Sequence, residues 1–160
     1  PIFSDAASAI LISKSTKNRI GPFELGADGS GADALELPTG TNEIVMNGAK
    51  VLTFAMDVVP NNVNKLLKKI KINKKKIHKF IFHQASKYIL DNINRRLSIE
   101  KNKTFENYGK VGNTISASIP IALKDAHTRK KISVNKNIIV AGYGVGLSWG
   151  SALIKWSKLL

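Results

Sequence analysis

Between residues 45 and 70 the apolar positions fall at Val51, Leu52, Ala55, Val58, Val59, Val63, Leu66, Leu67 and Ile70, with Lys and Asn between them. Steps of three and four place these on one stripe of an α-helix. Pro60 lies within the stripe and predicts a kink or the start of a second helical half, because proline has no N–H to give to the preceding turn. Residues 79–84, KFIFHQ, are a short apolar run that stops at a histidine, the pattern of a buried strand. Ser86 is placed to cap a second helix, whose stripe is Ile89, Leu90, Ile93 and Leu97. Residues 104–109, TFENYG, predict a weaker strand. Asn113 and Thr114 open a further helix, TISASIPIALKDAHTRKK, in which Ser116, Ala117 and Ser118 allow close packing. NIIVAGYGV and GLSWGSALIKW predict two strands joined by a glycine turn. Upstream, residues 3–12, FSDAASAILI, read as a strand that begins in small residues. Residues 13–43 are rich in Gly, Ser, Asp and Pro and predict hairpins and loops, with strand-like pieces at 23–27 and 34–38.

From residue 45 the order is helix, strand, helix, strand, helix, strand, strand. That alternation predicts an α/β layered fold: helices on both faces of a mostly parallel sheet, with antiparallel final strands. A chain of 160 residues is the size of one domain and can bury a core. It carries neither a short internal repeat nor a low-complexity linker.

Composition narrows the function. No apolar run approaches the roughly 18 residues of a membrane span, and no basic-plus-apolar leader is present. The chain starts at Pro1 without an initiator Met, so a fragment or a processed product is expected. There is no cysteine, hence no disulfide framework, zinc–thiolate site or thiol nucleophile within these residues. The cytoplasm is the simplest compartment. The net charge of +14 suggests an acidic partner or surface. The excess is mostly Lys, along KLLKKIKINKKKIHK (65–79) and KTFENYGK (103–110). No aromatics alternate with it as a base-stacking platform requires, and no helix-turn-helix, zinc-finger or RNP pattern occurs. The expectation is therefore a solvated Lys-rich surface, with no nucleic acid and no membrane as partner.

Three segments carry candidate chemistry. His83 and Asn113 each stand just past a strand and at the start of a helix, the edge where open α/β sheets bind ligands. Helix N-termini there offer free N–H groups. The third segment, beginning at Gly142, is a glycine-rich turn whose backbone can approach a ligand closely. A neutral histidine and an asparagine side by side can each donate one hydrogen bond to a single oxygen. That suits a reaction developing negative charge on a carbonyl oxygen, an enolate or a tetrahedral oxyanion. It does not suit a metal, because no Cys is available and no carboxylate has a ligand-like spacing to His83. His78 and His127 lie in basic surroundings and read as surface residues. Purely structural readings stand beside these: a strand-end histidine for His83, a helix N-cap for Asn113, a tight hairpin for the glycines.

Five stretches, in order, have counterparts in one family. They are FSDAASAILI, Met46-Asn47-Gly48-Ala49-Lys50-Val51-Leu52, His83-Gln84-Ala85-Ser86, Gly112-Asn113-Thr114, and Gly142-Tyr143-Gly144-Val145-Gly146-Leu147-Ser148-Trp149-Gly150. Together they resemble the C-terminal half of the ketoacyl-ACP synthase III family, within the thiolase-like superfamily. The resemblance implies final strands and loops of an N-terminal half over residues 1–44 and a C-terminal synthase domain over 45–160. It implies a Cys-His-Asn triad in which His83 and Asn113 are the second and third members and the Cys belongs to the missing N-terminal half, so that this chain alone is inactive. It implies acyl-CoA and the acyl carrier protein as partners, coenzyme A thioester and carrier phosphopantetheine as substrates, no cofactor and no metal, and a homodimer working in fatty acid biosynthesis. Ala85 and Ser86 would lie along the pantetheine arm. The turn of Tyr143, Gly144, Val145 and Gly146 would supply a backbone N–H to the thioester oxyanion. There are departures. Ser86 replaces an Asn of the family motif, Tyr88 an Arg facing the carrier, Ala49 an Asn at the arm and Leu52 a Phe, and Val145 interrupts the glycine run. These leave open an acyltransferase with a different acceptor, and a non-catalytic dimerisation or carrier-docking module. A half that folds alone is expected to expose an apolar face.

Overall fold

The computed structural model describes residues 3–17 and 19–157. Its longest element is α1 (Gly48–Ile70). Asn47 starts it, because the Asn47 side chain accepts a hydrogen bond from Lys50 N at 3.0 Å and so satisfies a donor that the helix cannot. The helix ends where Lys71 turns left-handed at φ 53°. Pro60 is buried inside it, and the helix runs on as one element. The apolar stripe that buries Ala55, Val59, Val63 and Leu66 outweighs the single hydrogen bond that proline removes.

Strand β1 (Ile20–Ala27) precedes α1, together with a two-residue hairpin of β2 (Leu35–Glu36) and β3 (Val45–Met46). After α1 come β4 (Lys79–Phe82), buried throughout, and α2 (Lys87–Arg96), capped by Ser86, whose Oγ accepts from Ile89 N at 3.3 Å. A one-turn helix α3 (Tyr108–Val111) and helix α4 (Ser118–Thr128) lead to the final hairpin, β5 (Asn137–Gly144) and β6 (Ser148–Lys155).

The main sheet has the order β1-β6-β5-β4. Strands β4 and β5 are parallel, and β6 is antiparallel to both β5 and β1. Three of the four strands thus point one way and β6 alone runs against them. The expected bias towards parallel holds for strand direction. Because the reversed strand sits inside the sheet, it still makes two of the three ladders antiparallel. Alternating side chains feed two cores. Phe80, Phe82, Ile139 and Ala141 pack with Val59, Val63, Leu66, Leu90 and Ile93 of α1 and α2. Ile81 and Ile138 pack on the opposite face with Ala122, Leu123 and Ala126 of α4. Helices therefore cover both faces, as the alternation predicts. No helix among the described residues is long and apolar enough to cross a membrane.

Two expected strands are corrected. Within residues 3–12, Phe3 makes a single parallel bridge, to Asn113, and the segment joins no ladder. Ile10, Leu11 and Ile12 stay exposed because no strand among the described residues lies beside them to take their backbone groups. TFENYG also makes one bridge, Thr104 to Phe80, and then turns into α3. The reason is Gln84: its Oε1 takes the N–H of Asn107 at 2.9 Å, which draws the backbone out of strand register. The helix after Asn113 begins later than the pattern suggests, with a 3₁₀ turn (Ile115–Ala117) before α4.

Candidate active site

His83 is the first residue beyond β4. Its N–H donates to the Ala141 carbonyl at 2.9 Å, which extends the β4–β5 ladder by one residue, and its own carbonyl accepts from Ala85 N at 3.0 Å. Gln84, wholly buried, locks this corner: Nε2 donates to Phe82 O at 2.8 Å while Oε1 holds Asn107. The imidazole is thus carried on rigid backbone. Its Nδ1 lies 2.7 Å from the hydroxyl of Ser118. The imidazole and the ring of Tyr143 meet in a T-shaped arrangement, with centroids 5.3 Å apart. Burial pushes the imidazole pKa down to about 4, partly opposed by a backbone hydrogen bond to Ile115. At neutral pH the ring is uncharged.

Asn113 is buried in the turn before α4. Its Oδ1 accepts from Ile115 N at 3.0 Å, so the amide is turned with its NH₂ away from that bond and free to donate elsewhere. Its backbone carbonyl accepts from Ser4 N at 2.8 Å. Gly112, at φ 68°, cannot be replaced without strain, since a Cβ there would stand 2.0 Å from the Ser4 hydroxyl oxygen. The segment 113–118 therefore serves both polar groups: Ile115 orients Asn113, and Ser118 meets His83.

Tyr143 and Gly144 end β5, and Val145 and Gly146 form the turn. Ser148 Oγ donates to Val145 O at 2.7 Å, and Leu147 exchanges two backbone hydrogen bonds with Asp28, at 2.8 and 2.9 Å. The turn is thereby fastened to the loop after β1. The Val145 side chain is exposed and does not fill the site. The Tyr143 hydroxyl is buried with no hydrogen-bond partner among the described residues, and burial raises its pKa. Ala85 and Ser86 line the His83 corner half-buried, with the Ser86 oxygen engaged as the α2 cap.

An open groove of ≈ 430 Å³ lies between α1 and the glycine hairpin. It is lined by Ala49, Lys50 and Thr53, by Ser30 and Gly31, and by Leu147. Ser30 and Gly31 carry no motif of their own, and sequence reasoning passed them over as loop. It also placed His78 and His127 on the surface, and both are part-buried. His127 Nδ1 accepts from Trp156 Nε1 at 3.1 Å. The Nε2 of His78 is buried without a partner among the described residues, and the His78 pKa is lowered by burial first and then by Lys79 and Lys136.

A mixed sheet between helix layers, with an uncharged imidazole just beyond β4 and a tethered carboxamide in the turn between α3 and α4, not past a strand as the pattern suggests, defines an α/β chain of the thiolase-like class. Solved 3-oxoacyl-(acyl carrier protein) synthase III structures share this fold. That from Pseudomonas aeruginosa PAO1 superposes with a TM-score of 0.86 at 28% identity, over 92% of this chain and 48% of that one. That from Thermus thermophilus gives 0.85 at 32% identity, over 92% and 50%. The chain belongs to the family 3-Oxoacyl-[acyl-carrier-protein (ACP)] synthase III C terminal, which it matches over residues 67–156. It is 38% identical over 173 residues to the beta-ketoacyl-[acyl-carrier-protein] synthase III of Prochlorococcus marinus (strain MIT 9515), covering 97% of this chain and 51% of that protein. It is 34% identical over 158 residues to the Staphylococcus epidermidis (strain ATCC 35984) protein of the same name, covering 98% and 50%. The chain thus spans about half the length of the curated relatives it matches.

Proposed function

We propose that this chain is the C-terminal catalytic half of a condensing acyltransferase of the 3-oxoacyl-ACP synthase III type, with residues 1–44 closing the N-terminal half and 45–160 forming the synthase domain. The observation that carries this reading is the pair at the helix starts. His83 is held neutral, and Asn113 has its Oδ1 tied back to Ile115 N, so each keeps a donor for the carbonyl oxygen that this reading sets between them. In the reaction, a malonyl thioester on the carrier's phosphopantetheine loses CO₂. The electron pair of the breaking C–C bond becomes an enolate whose oxygen receives the hydrogen bonds of His83 and Asn113. The enolate carbon then attacks an acyl thioester on a cysteine, and the cysteine leaves as thiolate. This chain has no cysteine, so that thiol comes from the other half of a longer polypeptide or from a separate subunit.

On this reading the turn of Tyr143, Gly144, Val145 and Gly146 offers a backbone N–H to the acyl oxygen. Ala85 and Ser86, with the groove at Ala49, border the pantetheine arm. The substrates are acyl-CoA and a malonyl carrier, and the assembled enzyme is a cytoplasmic homodimer of fatty acid biosynthesis. Ala49, Ser86 and Tyr88 favour one second reading, transfer of the acyl group to an acceptor other than malonyl-ACP, because they stand where the resemblance expects arm- and carrier-binding side chains. The deciding experiment supplies the full-length protein with acyl-CoA and malonyl-ACP. Formation of a 3-oxoacyl product with release of CO₂ is expected. Acyl labelling of the protein with no CO₂ release from malonyl-ACP would overturn the condensing reading and leave the second.

A further inference from the structure

Ser118 opens α4 and is 1% exposed. Its hydroxyl oxygen lies 2.7 Å from His83 Nδ1 and also faces Gln84 N at 3.4 Å. A neutral imidazole carries one proton, and the partner of one ring nitrogen decides which nitrogen holds it. The Gln84 N–H can only donate, so it takes up a lone pair of the Ser118 oxygen. The hydroxyl hydrogen then has one acceptor in reach among the described residues, Nδ1 of His83. If Nδ1 carried the proton instead, two donors would converge on the serine oxygen and its own hydrogen would be buried without a partner. Such an orphan costs about 1–3 kcal/mol. We propose that Ser118 is a positioning residue: it donates to Nδ1 and fixes His83 as the tautomer protonated at Nε2.

The consequence for chemistry rests on the function proposed above. Only the Nε2–H tautomer offers the substrate oxygen a donor from the ring nitrogen that Ser118 does not occupy. The opposite tautomer would present a lone pair to the developing enolate and repel it. Ser118 would therefore act on decarboxylation, where the enolate forms, and hardly at all on acylation of the thiol.

The test uses the full-length protein with nitrogen-15 in its histidine rings. The His83 signals, assigned with His83→Gln, should show a bare Nδ1 and a protonated Nε2 throughout the neutral pH range. Ser118→Ala should release that preference, while Ser118→Thr, which keeps a hydroxyl, should retain it. Ser118→Ala should also slow malonyl-carrier decarboxylation by about 10- to 100-fold, with acylation of the thiol changed by less than about threefold. A wild-type ring protonated at Nδ1 overturns the proposal without recourse to any variant. So does a Ser118→Ala protein, folded by circular dichroism, that keeps the wild-type tautomer. If the tautomer is as stated but wild type never decarboxylates malonyl-ACP, the role of Ser118 stands and the condensing reading falls.

Discussion

His83 is uncharged because partial burial disfavours its charged form, and this has a consequence for stability as well as for catalysis. Its folded pKa of about 4 lies below the ordinary 6.5, so as pH falls the unfolded chain takes up the proton first. The stability tied to this group is complete above about pH 6.5 and drains away as pH drops from there towards 4, by about 3 kcal/mol in all. Urea unfolding of the full-length protein at neutral and acid pH should show that loss in wild type. It should be smaller by about that amount in His83→Gln; equal losses would contradict the burial argument. For activity, His83→Ala and Asn113→Ala should each lower malonyl-carrier decarboxylation by about 10²- to 10³-fold, as expected when one donor to a developing oxyanion is removed. The position of His83 was legible because an apolar run gives way there to a helix, and that of Asn113 because it opens the next helical stretch, although the strand expected before it is the one-turn helix α3. Ser118 was not, since a serine in a first helical turn resembles any small packing residue, and its partner is 35 positions away. The orphaned Tyr143 hydroxyl was equally hidden, because only packing reveals that the ring lies beside His83.

Among elements, the helices were the most readable. The stripe from Val51 to Ile70 and the Ser86 cap stated α1 and α2 almost to their ends. Ser86→Ala should destabilise by about 1 kcal/mol, the usual worth of a serine N-cap, and a thermal melt measures it. No change would mean that α2 is held by Leu90, Ile93 and Leu97 alone. Gly112→Ala should weigh more, about 2 kcal/mol or above, since it combines a left-handed φ with a collision at Ser4. It should also disturb Asn113, the next residue, and so depress decarboxylation along with the melting temperature; a variant of wild-type stability would show that the Ser4 segment is free to step aside. Strand-like patterns misled where pairing was the missing information. FSDAASAILI has strand composition but, beyond the single bridge at Phe3, no strand to pair with among the described residues. TFENYG lost its ladder to the side chain of Gln84, and no local pattern announces such a competition.

For the molecule as a whole, the α/β layering and the two cores followed from alternation, whereas the insertion of β6 between β1 and β5 followed from nothing local. The lysine run was expected to be solvated, and part of it is not. Lys79 is buried with its ammonium on the Asn102 carbonyl, and burial lowers its pKa. Lys103 donates to the carbonyls of Lys75 and Ile77. Apolar side chains meanwhile face outward at Ile10, Leu11 and Ile12 and along β1 at Ile20, Phe23 and Leu25. The 160-residue chain on its own should therefore bind an apolar dye and self-associate, and it should give no condensation product from acyl-CoA and malonyl-ACP. A monodisperse monomer without dye binding would contradict the first expectation, and measurable turnover the second. The place of β6 matters in one further respect, the order in which the chain is made. Ile20 pairs with Ile154, and β1 has no other partner in the main sheet. Most of this chain lies between Ala27, where β1 ends, and Ser148, where β6 begins, so on the ribosome β1 waits through the synthesis of that stretch before its neighbour exists. Contacts so distant in sequence close slowly. A nascent chain halted before Ser148 would hold out an unpaired strand with Phe23 and Leu25 on it, the kind of surface that chaperones bind and that other chains add to.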